Sequence, residues 1–307
     1  MDPAALPAPT DLVELRFMRT ALVELALLGV AGGLLGAWIV LRRLAFFAHA
    51  TGTATFPGLV VADATGFSAT LAALAVALGY AGGVERAGRA GRDPGDVATA
   101  LLLVVALAGG VVLASDVFES GAAVDRLLFG TALGLDAGDL WIAAGAAAAA
   151  LAATLLLGRA WTAVGFDGAG GEALGVPVRT ADRLLLGLVA VAAVAALPAV
   201  GALLVASLFV VPAATARLLT RSVGGLLAAA VAVAVVQGAA GLYVSLWLDA
   251  PPGPAPALRG PSGVDCGPLS GAGMAVSAFG GRGPRPGQGC TCADVRHPGN
   301  PVPMGGG

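Results

Sequence analysis

The chain has 307 residues, of which 57% are hydrophobic and 12% charged, and its mean hydropathy is +0.88. A soluble domain with a hydrated surface is not this apolar, so the composition excludes an ordinary soluble protein and predicts a membrane protein. The net charge of −2 at pH 7 gives no indication of a nucleic-acid partner. The cysteines all lie near the end of the chain, so no disulfide framework holds the apolar part together; they are Cys266, Cys290 and Cys292.

The first apolar run, residues 20–41, is predicted to be a retained membrane span. The preceding segment, 1–19, mixes acids with arginines and lacks the basic start of a signal peptide, so we expect it to lie outside the membrane on the external side. About 20 apolar residues cross the hydrocarbon core. On that measure, further full spans are predicted at 97–115, 140–158, 183–200 and 223–248.

The apolar region between residues 56 and 84 is less regular. Asp63 and Gly66 interrupt it, which predicts a half-length helix over 56–64 and then a full helix near 67–84. A broken helix survives inside a membrane only where protein or a water-filled cavity satisfies its backbone. We therefore expect Asp63 to lie at a break where polar groups gather.

A second break is predicted after the span that begins at residue 183. Pro198 and Gly201 interrupt the apolar sequence there and predict a short returning segment over 201–216. The predicted fold is therefore all-α and polytopic, with about eight transmembrane segments, two of them short or broken.

Arginines indicate which side of the membrane each loop occupies. If the chain starts outside and alternates through eight segments, the outer loop 116–139 holds Arg126 alone among five acids. An excess of arginine marks cytoplasmic loops. The inner loops would then hold Arg42, Arg43, Arg86, Arg89, Arg92, Arg159, Arg179, Arg183, Arg217 and Arg221.

The last part of the chain differs in composition from the apolar part. From Asp249 onward, 26 of 59 residues are Gly or Pro, which is typical of a disordered, low-complexity segment. The predicted organisation is an external segment over 1–19, a transmembrane domain over 20–248 and a tail over 249–307.

Polar residues follow the first span in "RRLAFFAHATGTATFPG". If this stretch is helical, His49 and Thr53 share one face, and Thr51 and Thr55 form a second polar ridge. The threonines either bond to the carbonyl groups of their own helix or face a pathway. His49 either packs at the interface or serves as a ligand, since imidazole binds transition metals.

Two acids lie inside apolar runs. A carboxylate there must be protonated, paired or hydrated. Asp63 is a candidate pathway residue, and Glu24 either marks the outer interface or carries protons.

Four stretches resemble the permease subunit of ABC transporters that import zinc or manganese. They are "LRRLAFFAHATGTATFPG", "VDRLLFGTALGLDAGDL", "GFDGAGGEALGVPV" and "LPAVGALLVASLFVVPAATARLL". The resemblance implies a multi-pass subunit of the bacterial cytoplasmic membrane that is not an enzyme and holds no covalently bound cofactor. It also implies a homodimeric permease pair, an extracytoplasmic metal-binding protein and a cytoplasmic ATPase that uses the ATP.

The resemblance also implies that the loop after residue 165 is the coupling loop, on which the ATPase docks. Its candidate docking residues are Phe166, Asp167, Glu172, Leu174, Gly175 and Pro177.

The chain departs from this family's pattern at two places. His49 stands where the family has Asp and Thr53 where it has His, so an imidazole and a hydroxyl replace the family's ligand pair. Asp63 or carbonyl groups from the predicted break would contribute further ligands, so the predicted metal ligands are His49 and Asp63. The family also continues with one more span after "LDAPPG", whereas this chain enters its Gly/Pro-rich tail. A shifted reading frame near Pro254 would explain that difference. A product that lacks the final span could also be inactive.

Two other functions remain open at this point. Loss of the Asp/His ligand pair favours an ABC permease for metal chelates such as siderophores or cobalamin, which need no ion ligands. A proton-coupled secondary carrier would use Asp63 and Glu24 as proton relays.

Overall fold

The computed structural model describes residues 16–90, 95–117, 137–166, 178–202 and 204–248, and within these ranges all regular secondary structure is helical. This confirms the all-α prediction. The helices are α1 (Arg16–Leu41), α2 (Ala45–Ala54), α3 (Phe56–Thr65), α4 (Ala69–Ala90), α5 (Gly95–Val112, continued by a π-helical turn, Leu113–Val117), α6 (Ala137–Phe166), α7 (Val178–Val200), α8 (Val205–Leu219) and α9 (Val223–Leu248).

Six helical segments within the described ranges are long and apolar enough to cross a membrane. The chain is therefore a multi-pass membrane protein. The segments are Met18–Leu41, Ala45–Thr65, Asp96–Ser115, Ala137–Gly165, Arg179–Val200 and Val223–Tyr243. Helix α8 is apolar but shorter, and α4 lies outside this set, so the total of about eight crossings stays a prediction.

The short helix predicted over 56–64 is confirmed as α3, and the structure adds that it follows directly on another short helix, α2. Helix α2 already begins at Ala45, and Thr55 keeps right-handed helical backbone angles (φ −71°, ψ −15°) between α2 and α3. The Thr55 amide donates to the Gly52 carbonyl of α2 at 3.4 Å, and the Thr55 carbonyl accepts from the Leu59 amide of α3 at 3.1 Å, so Thr55 bonds to both helices. Pro57 occupies the first turn of α3 and has no N–H to continue the helical bonding from α2, which accounts for the irregularity at the junction. Residues 45–65 thus form one helix of membrane length with a slight irregularity, and the next helix is α4.

The predicted break between α7 and α8 is confirmed. Pro198 lies in the last turn of α7, and Gly201 has φ +79°, a left-handed conformation that glycine adopts without strain. The Leu204 amide donates to the Gly201 carbonyl at 3.2 Å before α8 begins. Gly201 and Ala202 are both buried, so this irregular backbone is enclosed by protein.

Helix α1 packs closely against two helices through two overlapping small-residue pairs. Gly29 and Gly33 face α9, while Gly32 and Gly36 face α8. A Cβ atom on Gly36 would lie 2.0 Å from the Phe209 carbonyl oxygen, so only glycine fits there. Such four-residue spacings let helix backbones approach closely in membranes, where van der Waals packing drives association.

Contacts along α1 also give the directions of its neighbours. Leu25 meets Gly238, and Gly29 meets Val235, so α9 runs antiparallel to α1.

Helix α6 runs parallel to α1. The Trp38 indole donates to the Thr154 hydroxyl at 3.3 Å, and Arg42 packs against Gly165, one turn further along α1 and near the end of α6. The antiparallel direction of α9 and the parallel direction of α6, both relative to α1, agree with the alternating crossings that the arginine distribution predicts.

Candidate functional site

Helix α2 lies at the centre of the bundle, in contact with α4, α5, α7 and α8. His49 is partly buried on this helix, and Thr53, one turn later, is 6% exposed. The four-residue spacing places both on one face, as the sequence predicts. A single imidazole is therefore held within protein at the centre of the helix bundle.

This face of α2 borders the break between α7 and α8. A Cβ atom on Gly52 would lie 2.8 Å from the Ala202 carbonyl oxygen and 3.1 Å from Cβ of Val205. Gly52 lies within one helical turn of His49 and next to Thr53. The structure therefore brings the polar face of α2 beside the irregular backbone at Gly201 and Ala202.

The threonines of α2 bond to their own helix. The Thr51 hydroxyl donates to the Phe47 carbonyl at 2.7 Å, and the Thr53 hydroxyl donates to the His49 carbonyl at 3.2 Å. Thr55 donates to the Gly52 carbonyl at 2.6 Å. The sequence leaves open whether these threonines bond to carbonyl groups of their own helix or face a pathway, and this geometry supports the first interpretation. Each hydroxyl oxygen still has lone pairs that can accept a hydrogen bond.

Asp63 lies apart from His49. It is exposed near the end of α3, three residues before the left-handed Gly66 (φ +70°). Fourteen residues of helix separate the two, which corresponds to about 20 Å along the axis. Across the described ranges, no three His, Cys, Asp or Glu side chains come together as a metal site.

Glu24 is fully buried, at 0% exposure, in the second turn of its span. Neither of its carboxylate oxygens has a hydrogen-bond partner in the part of the chain that the structure describes. Asp139, in the first turn of α6, also carries a carboxylate, and the two like charges repel each other. Glu24 is therefore enclosed by the bundle at the outer end of α1.

The predicted cytoplasmic end contains two ion pairs between helices that were not predicted from the sequence. Arg42 forms an ion pair with Asp182 of α7, and Arg183 forms one with Glu85 of α4. The partners lie about 100 residues or more apart in the chain, and the only sequence signal was the excess of arginine in the inner loops.

A cavity of about 710 Å³ lies at this end. Its charged and hydroxyl-bearing lining residues are Arg42, Arg43, Glu85, Asp96, Thr99, Arg179 and Asp182. Both signs of charge are present, so the cavity is not built for a free anion.

The predicted coupling loop falls largely outside the described residues. Phe166 is the last residue of α6, whereas Asp167, Glu172, Leu174, Gly175 and Pro177 lie outside the described ranges. The helices on either side of the loop, α6 and α7, are described and meet where the Trp161 indole donates to the Ala181 carbonyl at 2.9 Å.

Comparison with known proteins identifies the family. The ABC 3 transport family matches residues 14–258. The manganese transport system membrane protein MntC of Halalkalibacterium halodurans is 31% identical over 239 residues, which cover 78% of this chain and 82% of that protein. The manganese import system permease protein ScaB of Streptococcus parasanguinis is 25% identical, covering 78% and 85%.

A solved structure shares the fold. PsaBC from Streptococcus pneumoniae in complex with Fab superimposes with a TM-score of 0.72 at 24% identity, covering 81% of this chain and 90% of the other. The sequence resemblance to permeases of metal ABC importers is thus confirmed, and the chain belongs to the ABC 3 transport family.

Proposed function

We propose that the chain is the membrane-spanning permease subunit of an ATP-driven importer of divalent transition metal ions, with manganese as the principal cargo. The observation that carries this is the 31% identity to a protein named for manganese transport, over four fifths of both chains. Residues 20–248 form the permease domain, preceded by the external segment 1–19 and followed by the tail 249–307. The protein is a transport subunit, not an enzyme.

His49 is the residue on which the metal pathway centres in this proposal. Neutral imidazole is a good ligand for divalent transition metals, and His49 lies within one helical turn of Gly52, which packs against Ala202 at the enclosed break. Thr53 supplies a weaker oxygen ligand on the same face. Asp63, exposed and about 20 Å further along the helix, serves as an acidic residue at the outer mouth rather than as a ligand shared with His49.

Energy enters through a partner. A cytoplasmic ATPase subunit hydrolyses ATP and docks on the coupling loop, while an extracytoplasmic metal-binding protein delivers the ion. A second copy of the permease completes a homodimer. The permease itself makes and breaks no covalent bond and switches between outward and inward access. The docking residues are Phe166, Asp167, Glu172, Leu174, Gly175 and Pro177.

The comparisons do not favour the alternatives. The relatives reported above are named for manganese rather than for a chelate, and the family is that of ABC transporters rather than of proton-coupled carriers.

The test is ATP-dependent uptake of radiolabelled Mn²⁺ by proteoliposomes that contain the permease, its ATPase and its metal-binding protein. We expect His49→Ala to lower uptake strongly, because the pathway loses its only described imidazole. The chain offers a matched control, since its second histidine, His297, lies in the tail, and His297→Ala should leave uptake unchanged. Absence of ATP-driven uptake by the unsubstituted complex would contradict the proposed function.

The docking role of the loop has a separate test. Replacing Glu172 and Leu174 by alanine should reduce co-purification of the ATPase, while insertion of the permease into the membrane is retained. Unchanged co-purification would count against these residues as docking contacts.

A further inference from the structure

We infer that Arg42 is a positioning residue that transmits movement of the coupling loop to the helix carrying His49. This inference rests on the proposed function, because it assumes that an ATPase moves the loop. The Arg42 side chain joins both helices that flank the loop to the turn from which α2 starts.

Arg42 contacts the helix on each side of segment 167–177. Beyond the loop, its Nη2 forms the ion pair with Asp182, which is the fifth residue of α7. Before the loop, its aliphatic stem lies against Gly165, where a Cβ atom would be 3.2 Å from Cδ of Arg42. The Trp161–Ala181 hydrogen bond joins α6 to α7 beside these contacts. Displacement of either loop end therefore reaches Arg42 directly.

The position of the guanidinium depends on Asp182. The Arg42 side chain is 13% exposed, and its Nη1 is buried without a hydrogen-bond partner among the described residues. A guanidinium offers five donors, and Asp182 is the acceptor that the structure shows for the Arg42 guanidinium among the described residues. A shift of Asp182 with α7 should carry Arg42 with it.

The backbone connects Arg42 to α2 through a short turn. The Arg42 amide still donates to the Trp38 carbonyl at 2.9 Å, and the Leu44 amide donates to the Ile39 carbonyl at 2.8 Å. Between them Arg43 has φ +57°, a left-handed conformation that is uncommon for a residue with a side chain.

Only two residues separate Arg42 from Ala45, the first residue of α2, and His49 follows one helical turn later. Because such a link contains no flexible loop, a displacement of Arg42 should rotate or shift α2, which changes the access of His49 to the two sides.

A neighbouring ion pair provides a matched control. Arg183, the residue after Asp182, pairs with Glu85 at the end of α4, and its side chain is 48% exposed. Arg183 lies on the same turn of α7 as Asp182 and is one residue further in sequence from the coupling loop. The pair does not involve the α1–α2 turn, so its loss should not affect the proposed linkage.

The experiment measures Mn²⁺ ions transported per ATP hydrolysed by the complete complex in proteoliposomes. Arg42→Gln and Asp182→Asn should each lower this ratio by about fivefold or more, the range typical of coupling between sites, while ATP hydrolysis and complex assembly are retained. The double variant should be no worse than either single one, because both remove the same link. Arg183→Gln should keep the wild-type ratio.

Three results would overturn the inference. One is an unchanged ratio in Arg42→Gln and Asp182→Asn; another is an equal loss in Arg183→Gln. The third is a parallel fall of uptake and hydrolysis together with loss of assembly, which would indicate a purely structural role. These results differ from failure of the proposed function, in which the unsubstituted complex itself shows no ATP-driven uptake.

Discussion

Gly52→Ala is the substitution that most directly tests the packing of α2 against the break between α7 and α8. The added Cβ atom would lie 2.8 Å from the Ala202 carbonyl oxygen and 3.1 Å from Cβ of Val205. Ordinary contacts begin near 3.4 Å. The shortfall is therefore about 0.6 Å, and because the nearest atom belongs to the backbone, no side-chain rotation relieves it.

The expected cost follows from two opposing effects. Overpacking a closely fitted interior typically costs about 1–3 kcal/mol, whereas replacing glycine by alanine within a helix gains up to about 1 kcal/mol. Gly79→Ala shows the second effect alone, because Gly79 also lies inside a helix but has no atom within 4 Å of the added Cβ, so the difference between the two variants isolates the first. Relative to Gly79→Ala, Gly52→Ala should lower the free energy of unfolding by about 1–3 kcal/mol.

Thermal unfolding of the two purified variants in detergent measures this difference, and Mn²⁺ uptake by their complexes measures its functional effect. The shift of α2 away from Ala202 should also displace His49, so uptake should fall in Gly52→Ala and not in Gly79→Ala. Equal melting temperatures and equal uptake in the two variants would show that α2 does not pack on the break as described.

Three further substitutions test other features. Glu24→Gln should raise the melting temperature and increase the free energy of unfolding by up to about 2.5 kcal/mol, because it removes a buried carboxylate without a described hydrogen-bond partner. A lower melting temperature would show that the charge has a stabilising partner. Thr53→Val should keep the fold and lower uptake less than His49→Ala, since a hydroxyl is the weaker ligand; an equal loss would contradict that ranking. Trp161→Phe should cost about 1 kcal/mol in thermal unfolding, because it removes the bond to Ala181, and no change would refute that contribution.

The membrane spans could be predicted because lipid imposes a simple length requirement. An apolar run of about 20 residues must be helical to satisfy its backbone in hydrocarbon, and this placed the helices that became α1, α5, α6, α7 and α9. The break after α7 could also be predicted, because Pro198 and Gly201 disturb helical bonding in any surroundings.

The sequence predicted the short helix α3 but not that α2 would extend it to membrane length, and this has a physical reason. Thr51, Thr53 and Thr55 make the preceding stretch polar in composition, yet each hydroxyl bonds within its own helix and needs no water. The helix therefore extends back to Ala45. Along this extended segment His49 and Asp63 lie 14 residues apart, which is about 20 Å of helix.

Contacts between distant segments could not be predicted from the sequence. Arg42 and Asp182 are 140 residues apart, and nothing local in either segment indicates that they pair. The burial of Glu24 could not be predicted either, because packing decides whether a residue near the end of an apolar run faces lipid, headgroups or a neighbouring helix. Such relations follow from the arrangement of whole helices rather than from the pattern within one.

The side chains on the His49 face of α2 determine how tightly an importer would hold its ion there. Within the described ranges His49 belongs to no cluster of three His, Cys, Asp or Glu side chains, and its face of α2 carries the Thr53 hydroxyl and, at Gly52, borders the Ala202 carbonyl. Such a set holds Mn²⁺ or Zn²⁺ more weakly than His combined with carboxylates. A permease must release its ion to the other side in every cycle, so weak retention suits it. Selection among metals would then depend on the protein that delivers the ion, and exchanging that protein should change the preferred metal more than Thr53→His does.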